Sequence, residues 1–303
     1  MKQNEASITA LLSAFGRAYH AENAEAPVFA DKVAKQLLTN EEYTAIGRYI
    51  AGGIDFFAPD KKGSFANEEE QLRYLVNTQI APTPLGRARY CEECLETAMR
   101  TGTKQYVLLG AGLDTFAFRR PDFAAQYDIY EVDHPQTQED KFERIRRAGL
   151  DIPARLHFVA VDFAADDLTQ KLSEAGFDPK KKTLFSWLGV SYYLTAEQIG
   201  DLLDAVVALS ADGSSLVFDY ADEGLFDTTV KRVQNMVAMA AAGGEPMQTC
   251  FAEDALVTLL ERHGFLLYDL LSAPDIRARY FADRTDGLTA FEHICYALAV
   301  IKK

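Results

Sequence analysis

The chain has 303 residues, of which 48% are hydrophobic and 25% charged, a balance typical of a globular protein with a large core. Its formal net charge of −14 disfavours a nucleic-acid partner, because binding to the phosphate backbone needs a basic surface. The sequence predicts neither a membrane span nor a signal peptide, since it has no apolar run of the required length, and its four cysteines favour a reducing, cytoplasmic location.

Residues 1–100 have a helical pattern. The segment Pro82-Thr83-Pro84 is expected to interrupt this region before a helix that runs from Leu85 to Arg100. Cys91 and Cys94 share one face of that helix, and a metal site would need a second pair of close ligands, so we predict packing there and no metal.

From Lys104 onward, short apolar runs alternate with helical stretches, which predicts a doubly wound α/β sheet. The first five runs are apolar almost throughout, as parallel strands covered on both faces are. The last two runs have no comparably placed closing helix and predict an antiparallel hairpin at the sheet edge. The predicted strands are Tyr106–Gly110, Ile129–Val132, Leu156–Val161, Thr183–Leu188, Ser215–Tyr220, Leu266–Leu271 and Ile294–Ile301.

The segment Glu223–Leu260 lies between the fifth run and the last pair. It contains Val230–Ala242, which is rich in Ala and Met, followed by Gly243 and Gly244. Two interpretations stay open at this point: a helix that packs in the core, or a lid, since additions at the carboxyl ends of strands cover ligands in this architecture.

The first predicted strand runs into Gly110-Ala111-Gly112, a turn that lets the backbone approach a nucleotide-like ligand. Asp133 follows the second strand, about 20 residues on, where an acidic side chain can accept hydrogen bonds from both hydroxyls of a ribose. Glu131 is expected to point the other way and is the second candidate. The spacing therefore predicts a cofactor that contains adenosine.

The third glycine of a dinucleotide-binding turn is missing, because Thr115 stands in its place. Asp114 also places a negative charge where a pyrophosphate would otherwise lie. S-adenosylmethionine contains adenosine but no phosphate, so the sequence favours this cofactor. An NAD-dependent oxidoreductase and a non-catalytic cofactor-binding module remain alternatives.

Five motifs follow one another: Pro84-Leu-Gly-Arg87-Ala-Arg89-Tyr, Leu109-Gly-Ala-Gly-Leu-Asp-Thr-Phe-Ala-Phe-Arg119-Arg-Pro, Tyr130-Glu-Val-Asp-His-Pro-Gln-Thr-Gln138, Val161-Asp162-Phe163 and Trp187-Leu-Gly-Val-Ser-Tyr-Tyr193-Leu-Thr195. In this order they resemble the leucine carboxyl methyltransferase family, including its bacterial branch of S-adenosylmethionine-dependent O-methyltransferases. The resemblance runs from about residue 75 to the C-terminus. It implies a class I methyltransferase fold, a Rossmann-like doubly wound sheet of seven strands with the last strand antiparallel.

The resemblance also implies roles for individual residues. Residues 110–112 would lie under the amino-acid and ribose portions of the cofactor, and Asp133 would hold the ribose. Asp162 resembles the residue that takes the adenine amino group, with the backbone N–H and the ring of Phe163 beside the adenine.

Arg89, or alternatively Arg87, resembles the arginine that binds the cofactor carboxylate, which would make residues 1–100 part of the cofactor site. One position departs from the family: where an acid often stands close to the cofactor, this chain has Leu188, followed by Gly189. The cofactor's amino group is then left to other acceptors such as backbone carbonyls, and Leu188 offers no carboxylate base.

The predicted reaction is methyl transfer to a carboxylate or hydroxyl of a small molecule, with the protein C-terminal carboxyl as an alternative acceptor. A carboxylate needs no base and a hydroxyl needs one, so we assign no catalytic residue. Tyr192, Tyr193 and Tyr220 are expected to line the acceptor pocket under a lid formed by Glu223–Leu260. Whether the N-terminal helices form a homodimer stays open.

Overall fold

The structure, a computed structural model, describes residues 8–163 and 165–303. The strands are β1 (Gln105–Leu109), β2 (Asp128–Asp133), β3 (Leu156–Ala160), β4 (Thr183–Trp187), β5 (Ser215–Ala221), β6 (Phe265–Leu271) and β7 (Ile294–Ile301). They form one sheet in the order β3-β2-β1-β4-β5-β7-β6, in which β7 is antiparallel to both of its neighbours. This is the class I methyltransferase topology, so the predicted fold is confirmed.

Helices precede the sheet and alternate with its strands. Among the residues described, none of them combines the length and the apolar character that a membrane span needs. The helices are α1 (Ile8–Asn23), α2 (Ala34–Leu37), α3 (Asn40–Gly52), α4 (Ile54–Phe57), α5 (Glu68–Leu75), α6 (Pro82–Arg100), α7 (Phe116–Arg119), α8 (Pro121–Ala124), α9 (Pro135–Ala148), α10 (Leu168–Glu174), α11 (Ala196–Leu209), α12 (Lys231–Ala242), α13 (Glu253–Arg262) and α14 (Ala273–Tyr280).

The sheet separates two apolar cores, because the side chains of each strand alternate between its faces. On one face, Tyr106 and Leu108 of β1 join a core with Phe15 of α1 and Leu85 of α6. On the other face, β1 contributes to a core covered by α10, α11 and α13. The N-terminal helices thus form part of one of the two layers on the sheet, together with α7, α8 and α9.

The strand order reverses between β1 and β4, which both pair with parallel neighbours on their outer sides. The connections that leave β1 and β4 therefore diverge, and a crevice opens at their carboxyl ends. Because β1, β4 and β5 are buried along their whole length, the crevice has a rigid floor.

Three predictions about local structure were wrong. The segment Pro82-Thr83-Pro84 does not lie before the helix: α6 begins at Pro82 and not at Leu85, because proline fits the first turn of a helix. β6 and β7 are adjacent and antiparallel but are not a simple hairpin, since α14 lies between them in the chain.

The third wrong prediction is that the whole segment Glu223–Leu260 forms the lid. Leu256 and Leu260 of α13 are buried in the core under the sheet, and α13 is the crossover helix that two parallel strands such as β5 and β6 require. Residues 223–252 are therefore the only part of the insertion that remains for a lid.

Candidate functional site

The turn after β1 is fixed by hydrogen bonds to the end of β2. Gly110 and Gly112 have φ angles of +72° and +50°, a conformation that strains residues with a Cβ. The N–H of Gly110 donates to Val132 O at 2.9 Å, and the N–H of Gly112 donates to Asp133 Oδ2 at 2.5 Å. The turn therefore presents a backbone with almost no side chain to the crevice.

Asp133 stands at the carboxyl end of β2 and accepts from two backbone groups. Besides Gly112 on Oδ2, the N–H of His134 donates to Oδ1 at 2.7 Å. Burial raises the pKa of Asp133, and these two N–H donors oppose that effect. A carboxylate has about four lone-pair positions, so the group can accept two further hydrogen bonds from a ligand.

Glu131 has a different role from the one expected. Residues two apart on a strand share a face, so Glu131 lies on the same side of β2 as Asp133 and does not point the other way. Its Oε2 forms a buried ion pair with Lys141 Nζ at 2.5 Å, and burial raises its pKa to about 7. Oε2 of Glu131 is therefore committed to Lys141 of α9, and because the side chain is buried we prefer Asp133 as the ribose acceptor.

The residues after the glycine turn fill the place that a pyrophosphate would need. Asp114 Oδ1 accepts a hydrogen bond from the N–H of Phe116 at 2.7 Å, at the start of α7. Thr115 is buried and donates its hydroxyl to Asp31 Oδ2 at 2.7 Å. A carboxylate at this helix end disfavours a phosphate-containing ligand.

Asp162 and Phe163 lie at the same edge of the sheet as Asp133. Asp133 is paired with Ala160 at the end of β3, and the chain then turns, with the N–H of Asp162 donating to Asp166 Oδ2 at 2.9 Å. The Phe163 side chain is 49% exposed. The structure therefore brings this predicted pair next to the glycine turn and Asp133.

A buried polar cluster occupies the carboxyl ends of β4 and β5. Arg87 Nη1 of α6 lies 3.1 Å from Asp219 Oδ2 of β5 and donates to the Tyr192 hydroxyl at 3.2 Å. Asp219 Oδ1 accepts the N–H of Gly189 at 2.6 Å. Gly189 has a φ of +75°, and the Arg87 guanidinium lies so close to it that any side chain there would collide.

The charges of this cluster compensate each other. The Asp219 side chain is fully buried. Burial of the Arg87 guanidinium by itself would lower the pKa of Arg87, but the nearby Asp219 carboxylate outweighs that effect, so the pKa is raised. Asp219 was not among the predicted binding residues. It brings a carboxylate to the Leu188–Gly189 turn, where the family's acid is missing.

Arg89 lies away from this cluster. Its side chain is 52% exposed and pairs with Glu93 at 2.7 Å, and Glu93 in turn contacts Arg279 of α14. Two residues apart on a helix are about 200° apart around its axis, so Arg87 and Arg89 cannot face the same site. We therefore replace Arg89 with Arg87 as the candidate for a ligand carboxylate.

The three predicted tyrosines are divided between the faces of the sheet. Tyr192 is buried beside Arg87, and its ring meets that of Tyr193 edge-on with centroids 4.8 Å apart. Tyr220 is next to Asp219 on β5 and therefore points to the opposite face, into the other core. We remove Tyr220 from the predicted pocket.

Two segments close over the strand ends. From the insertion, the N–H of Gln248 donates to Tyr192 O at 2.7 Å. The Thr9 hydroxyl of α1 donates to Glu245 Oε2 at 3.0 Å, so the first turn of α1 meets the insertion. One residue further on, Ala10 lies over Gly112.

Sequence reasoning missed Arg17 and Asp31, which contact the residues after the glycine turn. Asp31 accepts from Thr115, and Arg17 Nη2 donates to Leu113 O at 2.7 Å. These contacts span 84 and 96 positions of the chain, so no short motif reveals them.

Comparison with known proteins assigns the chain to a family. The model of the leucine carboxyl methyltransferase family matches residues 10–207. The chain belongs to this family. A Bacillus subtilis (strain 168) protein named "Putative S-adenosyl-L-methionine-dependent methyltransferase YktD" is 45% identical over 305 aligned positions, which cover 100% of both chains. A similarly named protein of Mycolicibacterium paratuberculosis is 32% identical, with 77% of this chain and 71% of that protein aligned.

Solved structures agree on the fold. A Thermobifida fusca YX protein titled "putative methyltransferase" superposes with a TM-score of 0.58 at 14% identity, covering 100% of this chain and 97% of that one. A Streptomyces avermitilis MA-4680 protein of the DUF574 family gives a TM-score of 0.55 at 16% identity, covering 85% and 96%. The protein is thus an S-adenosylmethionine-dependent methyltransferase, and this assignment replaces the oxidoreductase alternative.

Proposed function

We propose that this methyltransferase transfers the methyl group to a carboxylate or hydroxyl oxygen of a small molecule, at the carboxyl ends of β1, β2, β4 and β5. The observation that carries the proposal is the convergence of the glycine turn, Asp133 and Arg87 on one edge of the sheet. The cofactor supplies a methyl group already activated on a sulfonium, so the protein's contribution is alignment and the exclusion of water.

Asp133 would hold the ribose. Its two backbone donors fix the carboxylate from below, and its remaining lone pairs would take the two ribose hydroxyls. The turn of residues 110–112, whose one side chain is the methyl group of Ala111, would let the cofactor lie close to the backbone above β1.

Arg87 would bind the carboxylate of the cofactor's amino-acid portion. Nη1 donates one hydrogen bond to Asp219 and one to Tyr192. The N–H groups of Nη2 and Nε would then donate to a ligand carboxylate. Asp219 would then balance the charge of the guanidinium from its buried position beside Gly189, and the cofactor's amino group would be left to other acceptors such as backbone carbonyls.

Asp162 and Phe163 would enclose the adenine at the β3 side of the crevice. The turn after β3 keeps them at the edge where Asp133 would hold the attached ribose. A half-exposed phenylalanine ring has an apolar face on which a purine can stack.

The acceptor would enter above β4 and β5. Tyr192 and Tyr193 would form one wall, and residues 223–252 would form the lid, since Gln248 is already hydrogen-bonded to the backbone of Tyr192. The net charge of −14 disfavours RNA, and the absent acid at Leu188 weakens the likeness to enzymes that act on a protein C-terminus.

In this arrangement the two parts of the chain share one site. Residues 1–100 would supply Arg87 and the cover over the glycine turn, and residues 101–303 would form the methyltransferase domain. The N-terminal layer would then be a component of the cofactor site.

Methyl transfer from radiolabelled S-adenosylmethionine to carboxylic acids, phenols, amines and tRNA tests this function. Alkali distinguishes the products, because methyl esters release the label as methanol whereas methyl ethers retain it. We expect label in an ester or an ether. Label in RNA, label in an amine, or no transfer to any oxygen acceptor in the set would contradict the proposal.

A further inference from the structure

Asp31 is a fully buried carboxylate that joins the N-terminal segment to the residues after the glycine turn. Its side chain is 0% exposed, and Oδ2 accepts from Arg17 Nε at 2.9 Å and from the Thr115 hydroxyl at 2.7 Å. Oδ1 accepts the N–H of Ala34 at 3.0 Å and lies 3.4 Å from Arg119 Nε. Such a charge is tolerated in the interior only with this degree of compensation.

Arg17 contacts the residue that directly follows the turn. While Nε contacts Asp31, Nη1 donates to the Ser13 hydroxyl at 2.8 Å and Nη2 donates to the Leu113 carbonyl at 2.7 Å. Leu113 directly follows Gly112. The planar guanidinium therefore fixes three groups at once, and one of them is the backbone carbonyl of the residue that directly follows the turn.

The network is held firmly in its charged form. Burial alone would raise the pKa of Asp31, but the Arg17 and Arg119 guanidiniums outweigh burial and hold that pKa below its usual range. The groups that contact Leu113 and Thr115 are thus buried and charged: Arg17 donates to the Leu113 carbonyl, and Asp31 accepts from the Thr115 hydroxyl.

Another buried arginine joins the N-terminal layer to the sheet without touching the turn. Arg144 of α9 donates to Leu37 O at 3.1 Å and forms an ion pair with Glu42 of α3 at 2.8 Å. Its side chain is 6% exposed, compared with 10% for Arg17. Substitution of Arg144 therefore tests how anchoring of the N-terminal layer alone affects cofactor affinity.

We propose that Arg17 and Asp31 are positioning residues which set the conformation of the cofactor turn from the N-terminal layer. Cofactor affinity then depends on the docking of residues 8–33, and by linkage cofactor binding stabilises that docking. This inference rests on the proposed placement of the cofactor along residues 110–112 and Asp133.

Calorimetric titration with S-adenosylhomocysteine tests the proposal on two conservative variants. Arg17→Lys keeps the charge opposite Asp31 but cannot hold Asp31, Ser13 and the Leu113 carbonyl together. Thr115→Val removes the hydroxyl that donates to Asp31 and accepts from Arg119 Nε at 2.9 Å, at nearly constant volume. Each is expected to raise the dissociation constant about tenfold, the effect of one lost hydrogen bond to a charged group.

Arg144→Met is the matched control. It should lower the melting temperature at least as much as Arg17→Lys does, and yet leave the dissociation constant unchanged. Hydrogen exchange supplies a second measurement: S-adenosylhomocysteine should slow exchange in α1 of the wild type and do so less in Arg17→Lys.

The outcomes separate this inference from the proposed function. If Asp133→Ala weakens binding but Arg17→Lys and Thr115→Val do not, the positioning role is wrong and the placement of the cofactor stands. If Arg144→Met weakens binding as much as Arg17→Lys, the effect is general packing and the positioning role is again wrong. If Asp133→Ala leaves binding unchanged, the placement is wrong and this inference falls with it.

Discussion

The two ends of the crevice fix their carboxylates in different ways. At the β1–β2 end, Asp133 is held by backbone N–H groups of Gly112 and His134, which lie close to it in the chain or in the sheet. At the β4–β5 end, Asp219 also accepts a backbone N–H, from Gly189, but it is paired with the charged Arg87 side chain, 132 positions away in the sequence. The first carboxylate can be removed without leaving a buried charge unpaired, whereas the second cannot. Substitutions at the two ends should therefore affect binding and stability in different proportions.

The largest effect is expected from Arg87→Met. It leaves Asp219 buried without its cation, which should lower the free energy of unfolding by about 3–5 kcal/mol, and it removes the proposed ligand for the cofactor carboxylate. Urea unfolding and calorimetry with S-adenosylhomocysteine measure the two losses.

Arg89→Met is the control for Arg87→Met, two residues away on the exposed side of α6. Its ion pair with Glu93 is largely exposed, so we expect a change in unfolding free energy below about 1 kcal/mol and unchanged cofactor affinity. Loss of affinity in Arg89→Met but not in Arg87→Met would show that the wrong arginine has been chosen.

Asp133→Ala should act mainly on binding. Loss of a doubly hydrogen-bonded carboxylate is expected to cost about 1.5–3 kcal/mol, or roughly ten- to a hundredfold in affinity for S-adenosylhomocysteine, with a small change in melting temperature. Unchanged affinity in the folded variant would place the ribose elsewhere.

The buried pair Glu131–Lys141 gives a pH-dependent prediction. Burial raises the pKa of Glu131 from its ordinary value of 4.5 to about 7, so the folded state binds its proton more tightly than the unfolded state does. The stability from this proton is present below pH 4.5 and is lost as the pH rises through about 7.

The double variant Glu131→Gln/Lys141→Met removes both charges and should lack this dependence. Relative to the wild type, its free energy of unfolding should gain about 1–3 kcal/mol between pH 4.5 and pH 8. Parallel stability curves for the two proteins would show that Glu131 does not titrate in this range.

The smallest effect is expected from Tyr192→Phe. The variant loses a hydroxyl that accepts from Arg87 Nη1 at 3.2 Å, which should cost about 0.5–1.5 kcal/mol and raise KM for the methyl acceptor more than it lowers kcat. Tyr220→Phe, on the opposite face of the sheet, should leave both kinetic constants unchanged. Equal effects in the two variants would argue against Tyr192 as a wall of the acceptor pocket.

The same contrast between the two ends of the crevice explains which site residues could be predicted from the sequence. The glycine turn and Asp133 are readable because their positions depend on local spacing between two adjacent parallel strands. Arg87 and Arg89 could not be distinguished, since the rotation of α6 about its axis is set by its packing on β5 and β7, far along the chain. Arg17 and Asp31 reach the turn only through long-range packing.

Two errors were avoidable from the sequence. Strand alternation puts Glu131 on the side of Asp133, and it puts Tyr220 opposite Asp219. The predicted strands already imply that neighbouring side chains lie on opposite faces of the sheet. The role of α13 could not be predicted without the strand order. Two parallel strands need a crossover connection between them, and only the strand order shows that β6 is parallel to β5.

A crystal structure of the complex with S-adenosylhomocysteine tests the central claim most directly. We predict both ribose hydroxyls within about 2.7–3.2 Å of the Asp133 carboxylate, with the ligand carboxylate on Nη2 or Nε of Arg87. A ligand whose ribose is held by another residue, or whose carboxylate lies against Arg89, would contradict the account.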